Sequence, residues 1–177
     1  MREKYWAMYE RIKYSERYFF YYREYAWKRD KAIKAFLVIV SLSNVANLAL
    51  IKQFSTAWAI IAAVAQILSA LAYLIPFSEQ VTALNLFLPE LDKLLCKIDR
   101  DWDRINILKV LSDTDINDLV YQYDLAFSSL ENQFTNGIQF SPREKCKKYA
   151  DDDCKKFKFC RFGITQTDYL EEALSND

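Results

Sequence analysis

Residues 35–77 read AFLVIVSLSNVANLALIKQFSTAWAIIAAVAQILSALAYLIPF, and Lys52 is the only charged side chain among them. A helix needs roughly 20 apolar residues to cross a hydrocarbon core about 30 Å thick. The charge-free runs flanking Lys52-Gln53 are 17 and 24 residues long, so the stretch predicts a transmembrane helical hairpin that surfaces at Lys52. A buried helix pair in a soluble bundle would keep a charged face, and these runs carry none. A secretory signal does not fit, because 34 charge-rich residues precede the first run and no small-residue cleavage site follows it.

Working outward, the chain has only two Gly and three Pro in 177 residues, and none of these precedes Pro76. Turns between strands draw on both residues, so the expected fold class is all-α. Four regions are expected. Residues 1–34 form a basic-aromatic, amphipathic juxtamembrane helix and 35–77 the transmembrane hairpin. Residues 78–137 form a cytoplasmic helical hairpin able to oligomerise, and 138–177 a short Cys/Lys-rich tail.

The formal net charge of zero hides an asymmetry. Residues 1–34 carry a local charge of +5 and residues 78–177 one of −6. Arg23, Lys28, Arg29, Lys31 and Lys34 crowd the start of the first run, which by the positive-inside rule places that flank in the cytoplasm. Two crossings return the chain to the same side. Both termini are therefore expected to be cytoplasmic. The first 27 residues also hold eleven aromatics. Tyr and Trp among Lys and Arg suit the headgroup layer of an anionic leaflet, and the same mixture could hold single-stranded nucleic acid by stacking.

The apolar runs have faces. On a helical wheel Ile60, Ile61, Val64, Ile67, Leu68 and Leu71 share one arc, while Ser55, Gln66, Ser69 and Tyr73 gather opposite. The first run carries Ser41, Ser43, Asn44 and Asn47 on about half its circumference. Amides in hydrocarbon demand partners. Ser41, Asn44, Asn47, Lys52, Ser55, Gln66, Ser69 and Tyr73 are thus candidates either for interhelical hydrogen bonds within one hairpin or for the lining of a pore between copies. One hairpin cannot enclose a channel, so the second reading requires a homo-oligomer in the bilayer.

Beyond Pro76, the spacing of Leu84, Leu88, Leu91, Leu95, Ile98, Trp102 and Ile105 marks the seam of an amphipathic helix that should begin or kink near Pro89. Ser112-Asp113-Thr114-Asp115 starts a second helix with Ile116, Leu119, Val120, Tyr123, Phe127, Leu130 and Phe134, and Asn136-Gly137 stops it. Asp99, Asp101 and Asp103 alternate with Arg100 and Arg104 as a solvated face would. In the tail, Cys146, Cys154 and Cys160 fit no metal knuckle, and the chain has no His. No metal ion or cofactor is expected, and the four cysteines read as free thiols. Arg143, Lys147, Lys148, Lys155, Lys156 and Arg161 are candidate contacts to RNA or a protein partner, or a solvated patch. Without His, nucleotide-binding glycine motifs or an isolated carboxylate pair, no catalytic residue stands out, and the chain reads as a non-enzyme.

The layout, a charged helix, an apolar hairpin and a helical cytoplasmic region, resembles SLATT-type two-span anti-phage effectors. It is similar to the Csx accessory family of type VI-B CRISPR loci, which carries a divergent HEPN domain with an Arg, four to six residues, then His motif. The nearest match is Arg100-Asp101-Trp102-Asp103-Arg104-Ile105-Asn106, with Asn106 in the His position, where an amide cannot act as acid or base. The resemblance implies a bacterial inner membrane as the location and an oligomeric, pore-forming or depolarising membrane effector in CRISPR-associated antiviral defence, with an RNA-guided CRISPR effector complex as a further partner. A membrane-tethered adaptor for a nucleoprotein and a divergent HEPN-like ribonuclease are the alternatives.

Overall fold

The computed structural model describes residues 1–50 (backbone alone at 40–50), the helical residues 60, 63, 64, 66 and 67, and residues 77–162. The fold is all-α. Its helices are α1 (Arg2–Leu50), α2 (Phe77–Asp103), α3 (Asp113–Thr135) and α4 (Glu144–Phe162), and a π-helical turn, Arg104–Leu108, extends α2. Among the described residues no helix is long and apolar enough to cross a membrane. About half of the expected hairpin lies outside them, including Lys52, Ser55, Ser69 and Tyr73.

The first half of α1 is the central stave of the bundle and packs on α2, α3 and α4. Residue pairings give the directions. Tyr5 meets Ile98 while Tyr22 meets Gln80, so α2 runs antiparallel to α1. Lys4 meets Asn117 and Arg11 meets Asp124, so α3 runs parallel to it. Lys158 pairs with Glu10 and Tyr21 with Asp153, which makes α4 antiparallel. One end of the bundle, the tip, holds Arg2, the α2–α3 turn and the end of α4. The other end, the base, holds Tyr25, Phe77 and the α3–α4 loop.

A helix with neighbours on three sides needs bulk around most of its circumference, which accounts for the aromatic density of residues 1–34. Tyr5, Met8, Tyr9, Ile12, Tyr22 and Ala26 are buried in the shared core. These rings are therefore inside protein rather than in a headgroup layer. Of the early tryptophans, Trp27 is the exposed one, at 49 %.

The α2 seam behaves as its spacing predicts: Leu84, Leu88, Leu91, Leu95, Ile98, Trp102 and Ile105 are all buried. Because that seam is spent inside one chain, any contact between copies must use other surfaces. Pro89 neither starts nor ends α2. Proline removes a hydrogen bond to the carbonyl four residues back; here both Pro89 and Asn85 are exposed, so water can meet the freed Asn85 carbonyl while buried leucines hold either side.

The π-helical turn is closed by Lys109 in the left-handed region (φ 52°), whose N–H donates to the Arg104 carbonyl. It leaves Ile107, Leu108 and Val110 exposed at the tip. Ser112 then caps α3 in a reciprocal capping box with Asp115, and Gly137 at φ 79° supplies the left-handed exit beyond α3 that other residues rarely adopt. The tail forms a helix whose buried positions, Cys146, Ala150 and Cys154, recur every four residues and let α4 approach α1 closely.

Leu91 is fully buried and Leu86, on the same helix, is 56 % exposed. Leu91→Ala should cost about 2–5 kcal/mol and Leu86→Ala no more than about 0.5 kcal/mol, as measured by denaturant unfolding of the purified protein.

Candidate functional site

Two polar constructions define the ends of the bundle. At the base, the buried Gln80 joins three elements. Its Oε1 accepts from the Tyr22 hydroxyl at 3.4 Å, and its Nε2 donates to the Gln139 carbonyl at 2.7 Å. This ties the α3–α4 loop to α1 and α2. Phe140 follows, edge-on to Phe19 and Tyr22 with ring centres 5.6 and 5.4 Å away. The Arg143 backbone lies close to the Tyr18 hydroxyl.

So placed, Arg143 sets its guanidinium carbon 4.8 Å from the centre of the Tyr25 ring. Arg29, one turn further along α1, lies 5.5 Å from the same ring centre. Phe77, where the chain re-enters the described bundle, packs edge-on to Tyr25 with ring centres 6.3 Å apart. Just beyond, Lys31 Nζ is 4.9 Å from the centre of the Trp27 ring. Basic and aromatic side chains thus ring the end of the bundle from which the apolar chain departs. Val38, Ile39, Ile60, Val64 and Ile67 are all exposed.

At the tip, hydroxyls and cations converge on the carboxylates of α2. Tyr5 donates to the Ile98 carbonyl at 2.9 Å and Tyr9 to Asp99 at 2.7 Å. Tyr123 donates to Asp101 at 2.6 Å, and Arg104 reaches the other oxygen of Asp101 at 3.1 Å. Arg161 bridges Asp99 at 2.9 Å and Asp103 at 2.7 Å. Trp102 packs among Tyr5, Trp6 and their neighbours. The three aspartates are thus not a solvated face: Asp101 is 4 % exposed, and its neighbours lock α1 and α4 to α2. The sequence pattern missed this because the donors come from distant segments.

Burial is the main cause that raises Tyr5, Tyr9 and Tyr123 above the ordinary tyrosine value of 10.0, with the bonds from Tyr9 to Asp99 and from Tyr123 to Asp101 adding to it. A second carboxylate inside the bundle, Glu16, sets Oε2 2.8 Å from Lys13 Nζ and 3.3 Å from Arg17 Nε. These are contact ion pairs at angles that make no hydrogen bond.

The other sequence candidates scatter. Ser41, Asn44 and Asn47 lie on the helical backbone of α1, and Gln66 is helical and exposed. Arg100 and Asn106 are both exposed at the tip, and among the described residues no hydrogen bond or ion pair joins them; Arg100 lies 4.0 Å from Asp101. Of the tail cations, Arg161 is committed to α2, Lys147 pairs with Glu144 at 2.8 Å, and Lys156 lies 4.0 Å from Asp153. Arg143 is drawn to the base, while Lys148 and Lys155 are exposed. The six candidates therefore form no single surface.

A cleft of about 420 Å³ between α1 and α4 is lined by residues that include Glu10, Arg11, Asp151, Cys154, Lys155 and Lys158. Glu10 and Lys158 pair with each other there, and Arg11 reaches Asp124. Burial pushes the Cys154 thiol up to about 11, which leaves it protonated and a poor nucleophile at neutral pH. All four cysteines are free. Among the described residues no group of three or more His, Cys, Asp or Glu could hold a metal ion.

Comparison with protein-family models, with curated proteins and with solved structures returns no match.

The tip tyrosines generate a pH dependence. Their folded pKa values lie above the unfolded value, so the folded state holds protons that the unfolded state releases. Stability is then level below pH 10 and falls as pH rises above it. Helicity followed by circular dichroism alongside phenolate absorbance should show unfolding and tyrosine ionisation together, and Tyr9→Phe with Tyr123→Phe should shift the transition to higher pH.

Proposed function

We propose that the chain is an oligomeric inner-membrane effector of the pore-forming or depolarising kind, acting in bacterial CRISPR-associated anti-phage defence. The observation that carries the membrane part is the shared core. Residues 5–26 on one side of the apolar stretch and 77–162 on the other fold into one body, so both flanks must sit on the same side of any membrane. A stretch leaving and returning at one bundle end crosses an even number of times. Its 17- and 24-residue charge-free runs suit one helix out and one back. The exposed Val38, Ile39, Ile60, Val64 and Ile67 find cover in lipid.

Oligomerisation is supported by apolar surface that the bundle does not use. Tyr121 and Leu125 are 70 % and 60 % exposed one turn apart on α3, and Ile107, Leu108 and Val110 protrude from the tip. The amides of Asn44, Asn47 and Gln66 need partners in hydrocarbon, and neighbouring copies would supply them or leave them facing a water-filled lumen. The assignment to defence rests on the resemblance in layout. The adaptor reading draws less support, with Arg161 already occupied, and so does the ribonuclease reading, with Asn106 in place of a proton-transferring His.

Purified protein should run in detergent as a discrete oligomer and give stepwise conductance in a planar bilayer, reduced in Gln66→Leu. A strict monomer, or an oligomer that conducts nothing, overturns the pore.

A further inference from the structure

We propose that Arg29 and Arg143, both stacked on Tyr25 at the base, form a binding site for the headgroup phosphate of an anionic phospholipid. The inference rests on the membrane reading above and gives that end of the bundle a specific ligand. Two guanidiniums lie within 5.5 Å of one ring centre. Neither has a carboxylate partner among the described residues, although lysines on the same helix do: Lys28 pairs with Glu24 at 3.5 Å and Lys34 with Asp30 at 2.6 Å. Two positive charges gathered around one ring without a counter-charge call for an anion, and guanidinium forks match phosphate oxygens bidentately.

The cations are also held in place rather than free to search. The Tyr25 ring orients both guanidiniums. The Gln80 bridge and the packing of Phe140 on Phe19 and Tyr22 fix the loop that delivers Arg143.

Position selects a lipid over free phosphate. Trp27, half exposed with Lys31 over its ring, sits at the same level of α1 on its other side. The exposed Ile39 lies ten residues on, about 15 Å further along the α1 axis and roughly 80° around it from Arg29. A lipid whose phosphate sits at Arg29 and Arg143 could run its acyl chains toward Ile39, surface for which a free phosphate has no use.

Full-length protein in a neutral detergent is titrated with phosphatidylglycerol, phosphatidylcholine and inorganic phosphate, and binding is read by thermal stabilisation and native mass spectrometry. Phosphatidylglycerol should bind and stabilise, phosphatidylcholine and inorganic phosphate should not. Arg29→Gln with Arg143→Gln should weaken phosphatidylglycerol roughly 25-fold, about fivefold for each charge lost at an anionic surface. Lys155→Gln with Lys156→Gln should leave it unchanged.

Should the double variant fold poorly by circular dichroism, Arg143→Lys keeps the charge but loses the stacked fork and should still weaken binding severalfold. Equal response to both lipids, full response to inorganic phosphate, or unchanged binding in a folded arginine variant overturns the site. Protein that stays in the membrane fraction without preferring anionic lipid fails this inference alone, whereas wild-type protein absent from that fraction fails the membrane reading itself.

Discussion

The burial of the first half of α1 against α2, α3 and α4 fixes more than a helical bundle, because it joins the two flanks of residues 35–77 into one folded body. Three tyrosine hydroxyls specify the register along that interface. Tyr5 reaches the Ile98 carbonyl, Tyr9 reaches Asp99 and Tyr22 reaches Gln80. A shift of α1 by one turn along its axis would move all three away from their partners and leave buried polar groups unsatisfied, which costs about 1–3 kcal/mol each. Rings supply the area and hydroxyls supply the address.

The same packing sorts charge along the bundle. Aspartates collect at the tip, where Arg161 and Arg104 answer them. Arginines and lysines collect at the base, where aromatic faces answer Arg23, Arg29, Lys31 and Arg143. A carboxylate partner leaves a cation nearly neutralised, whereas a ring leaves its charge available to a further anion. The base therefore keeps its positive potential, and the apolar chain departs from that end. Topology and electrostatics agree on the base as the end that the proposed function sets against lipid.

Legibility from sequence followed the range of the interaction. The α2 seam, the Ser112 cap and the Gly137 exit were readable because each depends on residues within one or two turns. Composition alone could not tell whether the aromatics of residues 1–34 face lipid or protein, since a ring is apolar to both. Burial of Asp101 depends on Tyr123 and the surrounding helices, and nothing in the pattern of alternating Asp and Arg announces it. The α4 face was hidden because Cys146, Ala150 and Cys154 are small and sit among lysines, although their four-residue spacing was there to be read. Arg143 and Arg161 looked like one charged patch and lie at opposite ends of the bundle, one on Tyr25 and the other on Asp99 and Asp103.

The central claim, that residues 35–77 leave and return through one face of a membrane while both flanks stay folded together, is tested most directly by thiol accessibility. Gln53→Cys adjoins Lys52 at the expected turn, and Cys96 and Cys160 are exposed thiols on the bundle. In intact cells stripped of any outer barrier, a membrane-impermeant maleimide should label Gln53→Cys and leave wild-type protein unlabelled, with Cys96 and Cys160 reacting only after lysis. Labelling of the native cysteines before lysis, or a Gln53→Cys variant that reacts only afterwards, would contradict it.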